Sequence, residues 1–519
     1  MASFFFFYSL LCFVFLSQSF SSSSVHHLCS PSEASDLFQF KKAFGISDDY
    51  FSQCRTSFSK TTSWNESRDC CTWDGVTCDL LTGRVIGLDL SCSQLYRIIH
   101  PNSSLFQLHH LQRLNLANNF LNYSSIPNDI GQIPNSVGNL IQIRELDLHG
   151  NHFAGHIPST ISNLKQLTFL DLSSNSLGGE IPNVFSNLQE LVVLDLSDNS
   201  LNGTIPSWVF SLPSLNILNL HHNQFTRVAD ELKTNPTLER LDLSHNQLSG
   251  PFLQSLENLF NLIFLGLSSN NMDAGVNITF PSLAYLSLSS WELKAFLHLR
   301  NSKTLKYLDL SNNKIDGPIP NWFNGMRWDS LLLLKLSYNS LTGHIEQLHY
   351  HSLDYLDLKF NLLQGRLPSS IYKLKNLTLL DLSHNHFNES VPHCLGSMTW
   401  VKVLNLRRNN FASSLPPLCT QSALLYTIAL NGNRFEGPIP MSLLKCNRLE
   451  IFNVGNNAIN DTFPAWLGTL EWLLVLILKS NKFHGPISTR PKFCFPKLRI
   501  FDLSHNEFNG SLPAEVFKT

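Results

Sequence analysis

Aspartate recurs at one fixed position of a repeated pattern, and paired carboxylates can perform general acid–base chemistry. The aspartates are Asp89, Asp147, Asp171, Asp195, Asp242, Asp309, Asp357, Asp381 and Asp502. In stacked strands, neighbouring copies would lie about 4.8 Å apart, near the spacing of paired catalytic carboxylates. A catalytic site needs one distinct constellation, whereas Leu-Asp-Leu-Ser returns along the whole chain. The pattern therefore indicates a structural role with solvated carboxylates, and we expect no enzyme activity, catalytic site or cofactor.

Histidine is a second candidate for chemistry. His221, His222, His245, His384 and His505 lie just before a recurring asparagine, at positions expected to face solvent. Stacked imidazoles would titrate near pH 6 and could sense acidity, but histidines in such positions are more often ordinary surface residues. The adjacent Asp, Ser and His at 502–505 are not arranged as an oriented triad, so they do not indicate nucleophilic catalysis.

Ten cysteines follow Cys12 of the first apolar run, and they fall in two clusters. The first contains Cys29, Cys54, Cys70, Cys71, Cys78 and Cys92, and the second contains Cys394, Cys419, Cys446 and Cys494. Paired C-x2-C spacing is missing, so we expect disulfides rather than a metal site. Cys394 and Cys419 fall at nearly the same phase of adjacent repeats, which makes a bridge between them a hypothesis.

A repeated pattern must position these residues. It reads L-x-x-L-x-L-x-x-N-x-L/F, and most steps are 24 residues. Its asparagines are Asn119, Asn151, Asn175, Asn199, Asn223, Asn246, Asn270, Asn313, Asn339, Asn361, Asn385, Asn409, Asn433, Asn457, Asn481 and Asn506. Ser93 and Trp291 occupy the same position in two further units, which gives eighteen repeats.

The spacing predicts the structure of each unit. L-x-L alternates with period two, so each unit should contribute one short strand with its leucines inward. The asparagine amide should turn inward, where it can donate to and accept from backbone groups of neighbouring turns. Single units cannot bury their own leucines, so the units must stack into a continuous core. This arrangement resembles the leucine-rich-repeat solenoid of α/β type, a horseshoe or superhelix with a parallel sheet on its concave face.

Many units continue as G-x-I-P, at 155–158, 179–182, 203–206, 317–320 and 437–440. Glycine should permit a tight turn there, and proline should end strand pairing. The signature recurs in phase, and it resembles the plant-specific class of leucine-rich repeat.

The amino-terminal residues form a separate region. An apolar run from Phe4 to Leu16, followed by small polar residues, predicts a signal peptide over 1–24, although no lysine or arginine precedes the run. A disulfide-stabilised cap is expected over 25–84, and the repeats over 85–519. The leader and the cysteines predict entry into the secretory pathway.

The cap carries the strongest resemblance to a known family. The stretch from Ser63 to Cys78, SWNESRDCCTWDGVTC, resembles the cap of plant leucine-rich-repeat receptors. Residues 88–95, 102–108, 431–433, 461–467 and 483–487 resemble receptor-like proteins of the Cf disease-resistance type. The resemblance implies a cell-surface receptor for pathogen-derived or endogenous peptide or protein ligands, which signals through partner receptor kinases.

Other functions remain open for such a chain. A developmental receptor has the same architecture, and the repeats also resemble secreted polygalacturonase-inhibiting proteins. Members of the receptor-like family carry a non-repeat island, a closing cap and a membrane helix, whereas this sequence stops at Thr519. We therefore expect a truncated chain: the ectodomain of a membrane receptor if the gene continues, and otherwise an extracellular decoy or inactive product.

Sequons and exposed strand positions give the remaining candidate sites. N-x-S/T occurs at Asn65, Asn102, Asn122, Asn202, Asn277, Asn376, Asn388, Asn460 and Asn509. A mixed surface suited to a peptide or protein is expected at Lys402, Asn405, Arg407, Arg408, Tyr426, Asn431, Asn453, Lys479 and Arg499. Trp291 should either shape the array or present an aromatic anchor. With 37 basic and 39 acidic residues and no basic run, nucleic acid is not an expected partner.

Overall fold

The computed structural model describes most of the chain. The described residues are 29–47, 54, 58–121, 131–229, 235–250, 256, 258–271, 281–296, 299, 302–325, 328–348, 350–420, 424–487 and 495–510. The expected signal peptide, the sequons at Asn122 and Asn277, and the last nine residues lie outside them.

The main sheet contains nineteen short strands. They are β1 Val76–Cys78, β2 Val85–Asp89, β3 Arg113–Asn115, β4 Glu145–Asp147, β5 Phe169–Asp171, β6 Val193–Asp195, β7 Ile217–Asn219, β8 Arg240–Asp242, β9 Phe264–Gly266, β10 Tyr285–Ser287, β11 Tyr307–Asp309, β12 Leu333–Lys335, β13 Tyr355–Asp357, β14 Leu379–Asp381, β15 Val403–Asn405, β16 Thr427–Ala429, β17 Ile451–Asn453, β18 Val475–Ile477 and β19 Ile500–Asp502. β1 pairs antiparallel with β2, and the strands from β2 onward pair in parallel with their sequence neighbours. The eighteen predicted repeats therefore each contribute one parallel strand.

Leucines form the interior of the sheet. The middle residue of each strand from β3 to β18 is buried, as Leu170 and Leu194 show with no exposed surface. Corresponding residues of neighbouring strands lie in register, so Leu170 pairs with Leu194 and Leu194 with Leu218. The buried side chains form one continuous hydrophobic core along the described array. The predicted solenoid is confirmed.

The asparagines satisfy backbone groups of two neighbouring turns. Nδ2 of Asn175 donates to the carbonyl oxygens of Leu148, Leu172 and Ser173 at 3.0–3.1 Å. Its Oδ1 accepts from the backbone N–H of Phe153 at 2.7 Å. The same amide therefore both donates and accepts, as the sequence predicted.

Trp291 occupies the asparagine position of its repeat as a structural residue. Its side chain is fully buried, and its indole N–H donates to the carbonyl oxygen of Leu267. An asparagine at this position donates to the equivalent backbone oxygen, as Asn270 does to Leu243 at 3.0 Å. The indole therefore replaces the amide donor, and Trp291 is not an exposed anchor.

Beyond the asparagine, the rungs carry short secondary strands and 3-10 helices. The strands are Ala154–His156, Ser176–Gly179, Ser200–Ile205, Gln224–Val228, Asp316–Pro318, Ser340–Thr342, Gln364–Gly365, His386–Phe387, Ala412–Ser414, Arg434–Gly437, Ala458–Ile459, His484–Pro486 and Glu507–Asn509. The 3-10 helices are Ser104–Gln107, Asn135–Asn139, Ser159–Asn163, Asn183–Asn187, Ser207–Ser211, Ser369–Lys373, His393–Ser397, Met441–Lys445 and Ala465–Thr469. A short α-helix, Asn321–Gly325, follows the proline in one rung.

The G-x-I-P segment differs from the expected tight turn. Gly179 has φ of +79°, yet it lies in the strand Ser176–Gly179 and pairs with Leu201 of the next rung. Glycine therefore permits an unusual backbone conformation within a strand. The proline then begins the helix, since Pro182 immediately precedes Asn183–Asn187.

A compact cap covers the first repeat. It contains α1 (Pro31–Ala43), the strand Gly45–Ile46 paired with Leu95–Tyr96, and the 3-10 helices Lys60–Ser63 and Cys70–Thr72. The buried carboxylate of Glu33 accepts from the backbone N–H of Val85 at 2.9 Å, which ties α1 to β2. Trp64 and Trp73 stack at 5.2 Å between ring centroids.

Three disulfides hold this cap. They join Cys29 to Cys70, Cys71 to Cys78, and Cys54 to Cys92. The last bridge links the cap to the first repeat, so Cys92 belongs with the candidate disulfide cysteines.

The hypothetical bridge between Cys394 and Cys419 is wrong. Cys419 pairs with Cys446, with 5.6 Å between Cα atoms, and Cys394 is unpaired. Cys394 lies in the 3-10 helix His393–Ser397, where its Sγ faces the carbonyl oxygen of Ser369 in the preceding rung at 3.5 Å. Similar phase in the sequence therefore did not bring the two sulfur atoms together.

Candidate ligand-binding face

The outward side of the main sheet carries four residues from each repeat. Numbered from the first leucine of L-x-x-L-x-L-x-x-N, they are positions 3, 5, 7 and 8. Positions 3 and 5 flank the buried leucine of the strand, so their side chains point to the opposite, concave face. Position 8 has a positive φ in rung after rung, for example +52° at His222 and +53° at Phe360. Because neighbouring strands pair in register, the side chains at each of these positions form a column that runs across the strands.

The aspartates of position 5 close the turn that follows their strand. Oδ1 of Asp195 accepts from the backbone N–H of Ser197 at 3.0 Å and from its hydroxyl at 2.6 Å. Asp309 and Asp381 accept the same two bonds from the serine two residues later. The predicted structural role of Leu-Asp-Leu-Ser is supported by these bonds.

These carboxylates are less solvated than the sequence indicated. Asp357 is only 3% exposed, and burial raises its pKa despite the opposing charge of Lys359. Asp357 lies on a strand with a neighbouring strand on each side, which limits the access of water to its carboxylate. Asp89, in β2, stays 57% exposed.

Several position-5 aspartates have a lysine partner. The Nζ atoms lie 2.9 Å from Asp89 for Lys60, 3.6 Å from Asp309 for Lys335, 3.3 Å from Asp357 for Lys359 and 3.5 Å from Asp502 for Lys479. Acidic and basic side chains thus alternate over β11, β12 and β13.

The carboxylates of β4 and β5 face a histidine instead. Nδ1 of His149 lies 2.7 Å from Oδ1 of Asp147 and 3.9 Å from Oδ2 of Asp171. Burial and the neighbouring charges of Asp195 and Asp147 raise the pKa of Asp171 to about 6, against the hydrogen bonds of Ser173. Burial lowers the pKa of His149, but its bond to Asp147 and the three carboxylates outweigh burial and raise it overall.

A second histidine group lies on the next two rungs. Asp198 approaches Nε2 of His221 at 3.4 Å and Nδ1 of His222 at 3.6 Å. The rings of His222 and His245 lie 4.3 Å apart, and burial together with the other two histidines lowers the pKa of His245. His222, His245 and His505 are exposed, as predicted, whereas His221 and His384 are partly buried. The rings of His222 and His245 are tilted by 42° rather than stacked.

Position 3 carries an aromatic column over β8 to β11. The guanidinium of Arg240 lies 3.9 Å from the ring centroid of Phe264. Phe264 stacks on Tyr285 at 4.3 Å, and Tyr285 lies 5.7 Å from Tyr307. Tyr307 is 38% exposed, so the last aromatic ring of the column is accessible to solvent.

Position 8 carries a second aromatic column over the rungs of β12 to β14. Tyr338 stacks on Phe360 at 4.5 Å, and Phe360 stacks on His384 at 3.9 Å. Tyr338 is 48% exposed. Burial, with Arg407 and Arg408 nearby, lowers the pKa of His384. We call the two columns together, with Arg240, the aromatic face.

The candidate ligand residues of the later repeats lie beyond the aromatic face on β15 to β19 and their turns. Lys402, Arg407, Arg408, Tyr426 and Arg499 are exposed, and the others are partly buried. Three of the partly buried residues bond within the protein. Asn405 donates to Asp381 at 3.0 Å, Lys479 pairs with Asp502, and Asn453 accepts from the N–H of Gly455. A ligand role for the whole set stays a prediction.

The aromatic face is not apparent when the sequence is read along the chain. Phe264, Tyr285, Tyr307, Tyr338 and Phe360 look unrelated along the chain, because each stands about one repeat from the next. Aligning all repeats on the asparagine and reading positions 3 and 8 as columns would have found them.

The exposed sequons are distributed over several rungs. Seven candidate asparagines are described, and all seven are exposed: Asn65, Asn102, Asn202, Asn376, Asn388, Asn460 and Asn509. Their exposure leaves each accessible to a glycosyltransferase, and occupancy stays a prediction. Within the described ranges, no helix has the length and apolar composition that crossing a membrane requires.

Comparison with known families identifies the repeats and the cap. Residues 133–341 match "Leucine-rich repeat region", and 30–79 match "Leucine rich repeat N-terminal domain". Residues 351–411 and 497–518 match further leucine-rich-repeat families.

The curated relatives are plant receptor-like proteins, which confirms the resemblance. Receptor-like protein Cf-9 of Solanum pimpinellifolium is 51% identical over 120 residues, which cover 21% of this chain and 14% of Cf-9. Receptor-like protein 6 of Arabidopsis thaliana is 42% identical over 134 residues, 24% of this chain and 13% of that protein. The matched stretches thus span about an eighth of these relatives.

Solved structures of plant receptor ectodomains share the fold. The ectodomain of the Arabidopsis thaliana kinase GASSHO1/SCHENGEN3, solved with CASPARIAN STRIP INTEGRITY FACTOR 2, has a TM-score of 0.71 and 30% identity, covering 92% of this chain and 62% of that one. The Arabidopsis kinase HAESA, solved with the peptide hormone IDA and the co-receptor SERK1, has a TM-score of 0.62 and 27% identity, covering 94% and 92%.

Proposed function

We propose that this chain, a leucine-rich-repeat protein similar to plant receptor-like proteins, is a non-enzymatic recognition module that binds a peptide or protein ligand on its concave face. It enters the secretory pathway and works outside the cell. Recognition serves pathogen perception, and a partner receptor kinase carries the signal onward. The kinase partner follows from the relatives, since the HAESA structure contains both a peptide hormone and a co-receptor.

The aromatic face is the observation that carries this proposal. Stacked rings on the open side of a sheet contribute little to the core, whose leucines lie on the other side. Phe264 and Tyr285 nevertheless form a stacked pair there, with Arg240 over one end. Aromatic residues and arginine are enriched in protein interfaces because they bury large area with few freely rotating bonds.

Charges around the aromatic face favour a polypeptide ligand. Lys335 lies 5.7 Å from the ring of Tyr355, and Lys359 lies 5.7 Å from the ring of Tyr338. The face thus combines apolar rings with alternating carboxylates and ammonium groups over a few rungs. An extended peptide can meet such a surface with apolar side chains on the rings and polar groups on the charged positions.

The test uses the glycosylated chain secreted from plant cells. It is immobilised and exposed to a defined set of synthetic plant extracellular peptides and pathogen-secreted peptides, with binding measured by interferometry. We expect binding to at least one peptide, and loss of about tenfold or more in affinity for Tyr285→Ala with Tyr307→Ala, since hot-spot aromatic truncations cost about 2 kcal/mol or more. The matched control is Tyr372→Ala, in the 3-10 helix of another rung.

Two results would contradict the proposal. One is peptide binding that the double variant leaves unchanged while Tyr372→Ala weakens it. The other is failure to bind the peptide set together with inhibition of a fungal polygalacturonase, which would favour the inhibitor function instead.

A further inference from the structure

The carboxylates of β4 and β5 form an unusual group with one imidazole. One ligand atom from each of Asp147, His149 and Asp171, a carboxylate oxygen or a ring nitrogen, lies within 4.8 Å of the other two. Nδ1 of His149 lies 2.7 Å from Oδ1 of Asp147 and 3.9 Å from Oδ2 of Asp171. Asp147 and His149 are 17% and 29% exposed and Asp171 is 18% exposed, so the group is largely desolvated but open to the concave face.

This group departs from the repeat pattern at a single residue. Position 7 is serine in Leu-Asp-Leu-Ser, and its hydroxyl donates to the aspartate, as Ser197 does to Asp195. His149 replaces that serine, and its ring extends from Asp147 to the next strand, where Asp171 lies. The imidazole of His149 therefore lies against carboxylates of two adjacent strands.

No lysine or arginine of the described residues forms an ion pair with these carboxylates. Elsewhere on the sheet, Asp309, Asp357 and Asp502 each lie within 3.6 Å of a lysine Nζ. Among the ion pairs of the described residues, the partner of Asp147 and Asp171 is His149 alone. Asp195, the third carboxylate of the column, receives a neutral amide from Asn219 at 2.8 Å. Two adjacent carboxylates on neighbouring strands repel each other unless a cation lies between them.

Asn118 supports the imidazole from behind. Its amide nitrogen lies 2.9 Å from Nε2 of His149, while its Oδ1 is fully buried and has no hydrogen-bond partner within the described residues. Rotating the carboxamide by half a turn places the oxygen against Nε2, where it accepts the ring N–H. With a cation between the ring and the carboxylates in place of the Nδ1 proton, Nδ1 would direct its lone pair at that cation, and Asn118 would hold the ring by its second nitrogen, as metal-ligating histidines are held.

We propose that Asp147, His149 and Asp171 bind one divalent transition-metal ion, with Zn²⁺ the best match. One imidazole nitrogen and two carboxylate oxygens suit Zn²⁺, which takes such mixed donors at about 2.0–2.2 Å. Ca²⁺ and Mg²⁺ prefer oxygen donors alone. The remaining coordination positions face the open concave side, where water or a group of a bound ligand can occupy them.

The site is tested by zinc titration of the secreted chain, without a histidine tag, after treatment with a chelator. Calorimetry at pH 7 should show one equivalent of tight Zn²⁺ binding. His149→Gln and Asp171→Asn should each weaken it by at least about tenfold. His222→Gln is the matched control, since it removes an exposed histidine from the neighbouring group and should leave this equivalent unchanged. Circular dichroism and the thermal midpoint check that each variant is folded.

Three outcomes would overturn the site. The first is failure of the wild type to bind Zn²⁺ tightly, which would leave the carboxylates for a cationic side chain of a ligand. The second is tight binding that His149→Gln leaves intact but His222→Gln abolishes, which would assign the metal to the other histidines. The third is Ca²⁺ binding with equal affinity, which would indicate a site of oxygen donors without the imidazole.

Discussion

Two stretches of the same sheet use position 5 in opposite ways. Over β11 to β13, Asp309, Lys335 and Asp357 alternate in sign, and Lys359 adds a second ammonium group. Over β4 to β6, three aspartates follow one another, and His149 is the titratable group between the first two. The backbone and the asparagine ladder are the same in both stretches. The comparison shows that the ladder and the leucines fix the fold, so that the outward positions are free to carry different chemistry.

Removing a lysine from β11 to β13, where lysines pair with the aspartates, should have the largest effect on stability. Lys359→Met leaves the carboxylate of Asp357, 3% exposed, without its cation. Removing one partner of a buried pair costs about 3–5 kcal/mol, and the partial exposure of Lys359 reduces the expected loss to about 2 kcal/mol. The midpoint of urea unfolding should fall accordingly. Lys314→Met, which removes an exposed pair with Glu292, is the control and should leave the midpoint unchanged; equal losses in both variants would show that Asp357 does not depend on Lys359.

Removing one carboxylate from β4 to β6, where three aspartates are adjacent, should have a smaller effect on stability, of opposite sign. In chelator, Asp171→Asn should raise the free energy of unfolding at pH 7 by about 1 kcal/mol, because the central carboxylate lies between Asp147 and Asp195. The folded-state pKa of Asp171 is about 6, above its ordinary value of 3.8. Its contribution to stability is therefore present below about pH 4 and is lost as the pH rises through 6.

The gain from Asp171→Asn should therefore disappear near pH 3.5, which thermal unfolding across this range would measure. Asp309→Asn, in the stretch with lysines, is the matched control and should show no gain at pH 7. A gain at every pH, or in both variants, would mean that repulsion between the carboxylates is not its source.

Converting one stretch toward the repeat pattern should have the smallest effect on stability. His149→Ser restores the Leu-Asp-Leu-Ser string, and the new hydroxyl can donate to Asp147 as Ser197 does to Asp195. We expect the unfolding free energy to change by no more than about 0.5 kcal/mol, while zinc binding is lost. A large destabilisation in chelator would instead show that the imidazole is a structural element of this rung.

The sequence predicted the repetitive part of the fold because one physical requirement returns in every unit. Leucine at positions 1, 4 and 6 and an inward amide such as Asn175 are needed wherever a rung stacks on its neighbours. Eighteen parallel strands therefore followed from the spacing of the repeats, and the disulfide-bonded cap followed from the cysteine cluster that precedes them.

The sequence could not give features that depend on side chains from several rungs. Cys419 pairs with Cys446 rather than Cys394, because the bridge depends on where the side chains point and not on phase. The aromatic face arises only when rungs of unequal length are brought into register. Trp291 was recognised as an exception, but its indole bond to Leu267 required the structure.

The most direct test of the concave face is site-specific photo-crosslinking to a peptide that binds in the interferometry screen. The photoreactive residue p-benzoylphenylalanine replaces Tyr285 or Tyr338 on the aromatic face, or Tyr372 in the 3-10 helix of another rung. We predict crosslinks from the first two positions, suppressed by excess unlabelled peptide, and background signal from the third. Specific crosslinks from Tyr372 with none from Tyr285 or Tyr338 would contradict the account, since they would place the ligand away from the concave sheet.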